Sequence, residues 1–107
     1  MRKQTTLLTV LLSFASVNAF AAGDPAAGKI KAYTCTGCHG IPGYKNTYPT
    51  YHVPRIGGQN AEYLVIALNA YKAGKRNHKT MDLQASALSD EDIADISAYF
   101  ASLGGEK

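Results

Sequence analysis

The sequence predicts an all-α domain of three to four short helices joined by long loops. Three observations predict it: apolar residues recur at helical spacing from Tyr63 to Tyr71 and from Ile93 to Leu103, no segment alternates β-branched with polar residues, and glycine and proline crowd the stretch between Cys35 and Gly58. Loops that long inside one compact domain suggest that they wrap something.

The domain is expected to begin at residue 22. Arg2 and Lys3 precede an apolar stretch, Leu7 to Val17, broken only by Thr9, Ser13 and Ser16. Ala19-Phe20-Ala21 then supplies the small-x-small pattern that a signal peptidase reads. Residues 1–21 are therefore expected to be a cleaved signal peptide, and residues 22–107 a single domain exported to the periplasm. The apolar run is too short to span a bilayer comfortably and no other segment could, so stable membrane insertion is not expected after cleavage. Cleavage takes Arg2 and Lys3 from eleven basic residues, and the nine left face eight acidic ones, a balance that argues against nucleic-acid binding. A mature chain of 86 residues buries little surface, so a staple or a cofactor in the core would offset the deficit.

Each element has its own signals. Asp24-Pro25 reads as an N-cap followed by proline at the first helical position, opening a helix that should run to about Tyr33. Cys35 to Pro54 has loop composition, with Pro42, Pro49 and Pro54 and three tyrosines, Tyr44, Tyr48 and Tyr51, that need something apolar to pack on. Asn60 is the next cap, and Tyr63, Leu64, Ala67, Leu68 and Tyr71 recur at helical spacing until Gly74. From Gly74 to Leu88 no period is sustained, and Met81 sits in what reads as a polar loop. Ser89 caps the last helix, Asp90, Glu91 and Asp92 favour its positive end, and Ile93, Ile96, Phe100 and Leu103 form one stripe that Gly104 and Gly105 close.

The chemistry lies in Cys35-Thr36-Gly37-Cys38-His39, the C-x-x-C-H signature. Two thiols at this spacing add across the two vinyl groups of a heme, and the next residue delivers an imidazole to the iron, so one short segment fixes the porphyrin at three points. A C-x-x-C disulfide oxidoreductase would want a βαβ context, which the sequence lacks. A structural zinc site would want four ligands in paired clusters, and the chain has only these two cysteines. One covalent heme c, held through Cys35 and Cys38 and wrapped by the long loops, is the cofactor expected.

The opposite iron position decides between a carrier and a ligand binder. Met81, the only methionine after export, is the candidate, with His52 and His78 as rivals and a plain packing role as the alternative. A thioether favours ferrous iron and raises the reduction potential.

These residues resemble the class I c-type cytochromes, especially the small mono-heme bacterial ones and one unit of the di-heme periplasmic cytochromes. The resemblance covers Gly23-Asp24 with Gly28, the pentapeptide with Gly40, Pro54 to Gln59, Tyr63-Leu64, Gly74-Lys75-Arg76, Met81, and Leu88 to Leu103. It implies the cytochrome c fold, with the first helix crossing the last near Gly28 and Tyr99-Phe100, and it implies that Met81 is the axial ligand opposite His39. It further implies that the Pro54 carbonyl accepts the Nδ1 proton of His39 and that Arg76 lies near a heme propionate. The loop from Gly40 to Val53 is longer than its counterpart in common members, so its contacts are not implied.

The function expected is a periplasmic mono-heme electron carrier, not an enzyme, cycling Fe(III)/Fe(II) between a donor and an acceptor protein. Lys72, Lys75, Arg76 and Lys79 would steer an acidic partner if they rim the heme edge. The alternatives are a heme-based small-ligand binder or sensor, and a heme subunit of a larger dehydrogenase complex.

Overall fold

The computed structural model describes residues 22–47 and 50–104. The expected signal peptide, Tyr48, Pro49 and Gly105 lie outside the described residues.

Five helices form among them: α1 (Pro25–Lys31), α2 (Tyr33–His39), α3 (Ala61–Lys72), α4 (Lys79–Ser86) and α5 (Asp90–Ser102). The fold class is the one expected, but the count exceeds three to four, and the two surplus helices stand where loops were expected. Helix α2 carries the pentapeptide itself. It follows α1 after the single buried residue Ala32, so the first helix ends two residues short of Tyr33 and the chain re-enters helix at once. Helix α4 carries Met81. Neither shows an apolar stripe: α2 holds Gly37 and turns Cys35, Cys38 and His39 to a cleft, while α4 buries only Ala85 and leaves Leu83 72% exposed.

The expected caps are in place. Asp24 Oδ1 accepts from Ala26 N at 2.9 Å, and Asn60 Oδ1 accepts from Tyr63 N at 3.0 Å. Ser89 and Asp92 form a reciprocal capping box, Asp92 N to Ser89 Oγ at 3.1 Å and Ser89 N to Asp92 Oδ2 at 3.0 Å. Helix α3 closes in a Schellman motif, with Gly74 at φ +71°, Gly74 N donating to Tyr71 O and Lys75 N to Ala70 O. A residue with a Cβ would be strained at Gly74.

Helices α1 and α5 cross at Gly28. A Cβ there would sit 1.9 Å from the Asp95 carbonyl oxygen and 2.8 Å from Tyr99 Cβ, so only glycine permits the approach. The contact brings Ala32 against Ile96 and Phe100, which with Leu64 of α3 make the small buried core. Tyr99 and Phe100 pack ring to ring at 5.2 Å.

The same crossing is pinned by charge. Asp95, 5% exposed, accepts from Asp24 N and from Lys31 Nζ, both at 2.7 Å, and Lys31 Nζ also reaches Asp92 Oδ1 at 3.0 Å. The Lys31 ammonium, and then the Asp24 N–H, hold the Asp95 carboxyl below the usual carboxylate range. The Ser89 N–H, and then Lys31, do the same for Asp92. Carboxyls depressed in this way contribute their full stabilisation above about pH 4, the unfolded value, and lose it as the pH falls through the folded ones. Lys31 is raised by the same partners, so its contribution persists through neutrality and fades only at strongly alkaline pH. Thermal melts should therefore show this part of the stability constant from about pH 5 to 9 and falling below about pH 4. Asp95→Asn should lower the melting temperature at neutral pH and flatten that acid limb; an unchanged limb would remove the pair from the account.

Candidate heme site

A cleft of about 350 Å³ opens beside the core, between α2, α3, α4 and the loop ahead of α3. Its floor is apolar, formed by Leu64, Leu68, Ile96 and Phe100. All six residues singled out in the sequence line it: Cys35, Cys38, His39, Pro54, Arg76 and Met81. They come from α2, from the loop before α3, from the turn after it and from α4, which no single segment could bring together.

His39 ends α2, and its Nδ1 lies 2.6 Å from the Pro54 carbonyl oxygen. A carbonyl only accepts, so Nδ1 carries a proton, and in the neutral ring the lone pair is then on Nε2. The bond holds the ring in one orientation across the cleft wall. Cys35 is half-buried, and burial pushes its thiol up, away from the thiolate that a disulfide oxidoreductase needs. Among the described residues no three His, Cys, Asp or Glu side chains are grouped to hold a bare metal ion.

The rival histidines share the cleft. His52 and His78 both line it, and so does Tyr51. His78 Nδ1 and the Oγ of Ser97, a residue of 0% exposure, are buried without a partner in the protein, and both residues face this cleft. Apolar walls, a cysteine pair at one side, an imidazole with a free lone pair and polar atoms awaiting partners suit a porphyrin with its two carboxylates. The residues fit heme c.

Of the four basic residues considered as a rim, Arg76 lines the cleft, its guanidinium 4.9 Å from the centre of the Tyr71 ring. Lys72 instead donates to the Leu88 carbonyl, and Lys75 and Lys79 are exposed away from the lining. Sequence reasoning missed Asn46 and Thr80, and reached Tyr51 only as one of three loop tyrosines expected either to cover a heme edge or to pack the loop. The three join through side-chain hydrogen bonds across distant segments, and only the tyrosine carries a sequence signal, its need for something to pack on.

Fold and cleft together define a protein built around covalently attached heme, with two cysteines spaced for its thioether links. The cytochrome c family model matches residues 26–104, and the chain belongs to that family. It is 48% identical over 84 residues to cytochrome c-554(548) of Halomonas halodenitrificans, covering 76% of this chain and 98% of that one. It is 42% identical over 97 residues to cytochrome c4 of Pseudomonas aeruginosa, covering 90% of this chain but 47% of that protein, so it spans about half that relative's length. A thiosulfate dehydrogenase electron acceptor of Stutzerimonas stutzeri is 36% identical over 73 residues, 65% of this chain and 32% of that one. The general role is that of the family, electron transfer and not catalysis. Among the described residues no helix is long and apolar enough to cross a membrane.

Proposed function

We propose that this chain is a periplasmic carrier of single electrons between a donor and an acceptor protein of a respiratory chain. The observation that carries the reading is the convergence on one cleft of Cys35, Cys38, Met81 and a His39 whose Nδ1 is engaged by Pro54. In this reading Cys35 and Cys38 would hold one heme c through thioether links, and His39 Nε2 and Met81 Sδ would supply the protein's ligands to its iron. Bound there, heme supplies a one-electron Fe(III)/Fe(II) couple.

The chain's own residues do the rest. The Pro54 carbonyl sets the tilt of the imidazole and raises its basicity. Leu64, Leu68, Ile96 and Phe100 exclude water, which lowers the reorganisation that accompanies a change of charge. Arg76, held over Tyr71, supplies a fixed positive charge for a propionate. The expected signal peptide at residues 1–21 supports the periplasmic assignment. A donor or acceptor with an acidic face is the partner class that Arg76 on the cleft and the exposed Lys75 and Lys79 near it in sequence favour.

Carbon monoxide tests the reading against a sensor. With Met81 closing the sixth position, the reduced protein should refuse the gas at neutral pH. Ready uptake, seen as a shift of the main absorption band, would favour a small-ligand binder and overturn the carrier.

A further inference from the structure

We propose that Tyr51 is a positioning residue, a latch from the tyrosine-bearing loop that holds the first turn of α4 and with it the Met81 thioether on the cleft. The inference rests on the reading of Met81 as an axial ligand, and it assigns a task to a loop that neither the motif nor the resemblance explained.

The loop is itself built to present this side chain. Lys45 and His52 pair as an isolated antiparallel bridge, with Asn46 N donating to Tyr51 O at 2.9 Å and Val53 N to Tyr44 O at 3.0 Å. Asn46 Nδ2 also donates to the Tyr51 hydroxyl oxygen at 2.6 Å. That oxygen lies 3.1 Å from Thr80 Oγ1, and since it already accepts from Asn46, its own proton is free to go to Thr80. The Tyr51 ring meets His78 edge-on, with centroids 4.8 Å apart. One phenol therefore touches the N-cap of α4 and the residue immediately before Met81.

Helix α4 needs such a hold. Its N-cap, His78, makes no side-chain capping bond, and the helix buries only Ala85. Neither capping nor an apolar stripe fixes the rotation of its first turn. The three-residue chain Asn46, Tyr51, Thr80 supplies the missing restraint from outside the helix, across 29 residues of sequence.

Imidazole titration of the ferric holoprotein tests the latch, because added imidazole competes with Met81 for the sixth position. Tyr51→Phe keeps the ring and removes the hydroxyl with its bonds to Asn46 and Thr80; it should bind imidazole about fivefold more tightly than wild type, as expected for loss of the one bond that reaches α4. Thr80→Val removes the same bond from the other end and should act by a similar factor, so it serves if the tyrosine variant does not mature. Thr80→Ser should restore wild-type affinity. The double variant should bind no more tightly than the stronger single one, since both changes break the same Tyr51–Thr80 bond. Unchanged imidazole affinity in Tyr51→Phe, even with a lower melting temperature, would overturn the proposal, and so would full additivity of the two changes. Met81→Ala separates the premise from the proposal. If it binds imidazole no better than wild type, the axial reading fails. If it binds far better while Tyr51→Phe is unchanged, only the latch fails.

Discussion

Replacement of His39 by alanine is expected to leave no stable heme-loaded protein. His39 is where two supports meet. It closes α2 one residue after Cys38, and its ring is tied across 15 residues to the Pro54 carbonyl at 2.6 Å. Removing it takes away the anchor that the pentapeptide supplies to the iron, leaving two thioethers and Met81 to hold the porphyrin, and leaves the Pro54 carbonyl without its donor. The core that remains is small, with Ala32, Leu64, Ile96 and Phe100 as its buried cluster, so loss of the cofactor should carry loss of the fold. Visible absorbance of the purified export fraction measures this. It should fall to background for His39→Ala, and wild-type yield of a coloured, folded protein would contradict the assignment.

Met81→Ala should behave differently. The two cysteines and His39 stay in place, so heme should remain covalently attached and the protein folded. Loss of the thioether removes the ligand that favours ferrous iron, and the reduction potential should fall by more than about 60 mV, a tenfold shift of a one-electron equilibrium. The reduced variant should also take up carbon monoxide. Potentiometry with optical detection reads both effects on one sample. An unchanged spectrum and potential would hand the sixth position to His52 or His78, which line the same cleft.

The contrast between these two residues matches how each was legible in the sequence. His39 belongs to a contiguous motif whose spacing carries its chemistry. Met81 could be singled out only as the last methionine, and its surroundings were misjudged. The segment around it lacks a period because Ala85 is the one fully buried residue of α4 and Leu83 is left to solvent, so there is no stripe to detect. The pentapeptide was taken for loop for a related reason: the inner face of α2 is made of residues that serve the cleft. Caps, by contrast, are local. Asp24, Asn60 and the Ser89–Asp92 box each stand where short-range side-chain chemistry placed them.

Long-range contacts divide in the same way. The crossing at Gly28 and the Pro54 carbonyl came from resemblance, and the structure sets Gly28 against Asp95 and Tyr99, and His39 against Pro54. The Asn46–Tyr51–Thr80 chain had no such guide. Its three side chains are ordinary polar residues in segments without periodicity, and only the folded backbone brings them together. The basic run is not one unit in the fold: Arg76 lines the cleft, Lys72 turns to the Leu88 carbonyl, and Lys75 and Lys79 stand exposed outside the lining.

The most direct test of the account is an absorption spectrum of the exported protein, oxidised and reduced, taken before and after extraction with acidified organic solvent. The account predicts heme that stays with the polypeptide through extraction and a weak long-wavelength band, present in the ferric state and gone on reduction, that reports sulfur bonded to iron. Heme that leaves with the solvent, with the Cys35 and Cys38 thiols free or joined to each other, would contradict it.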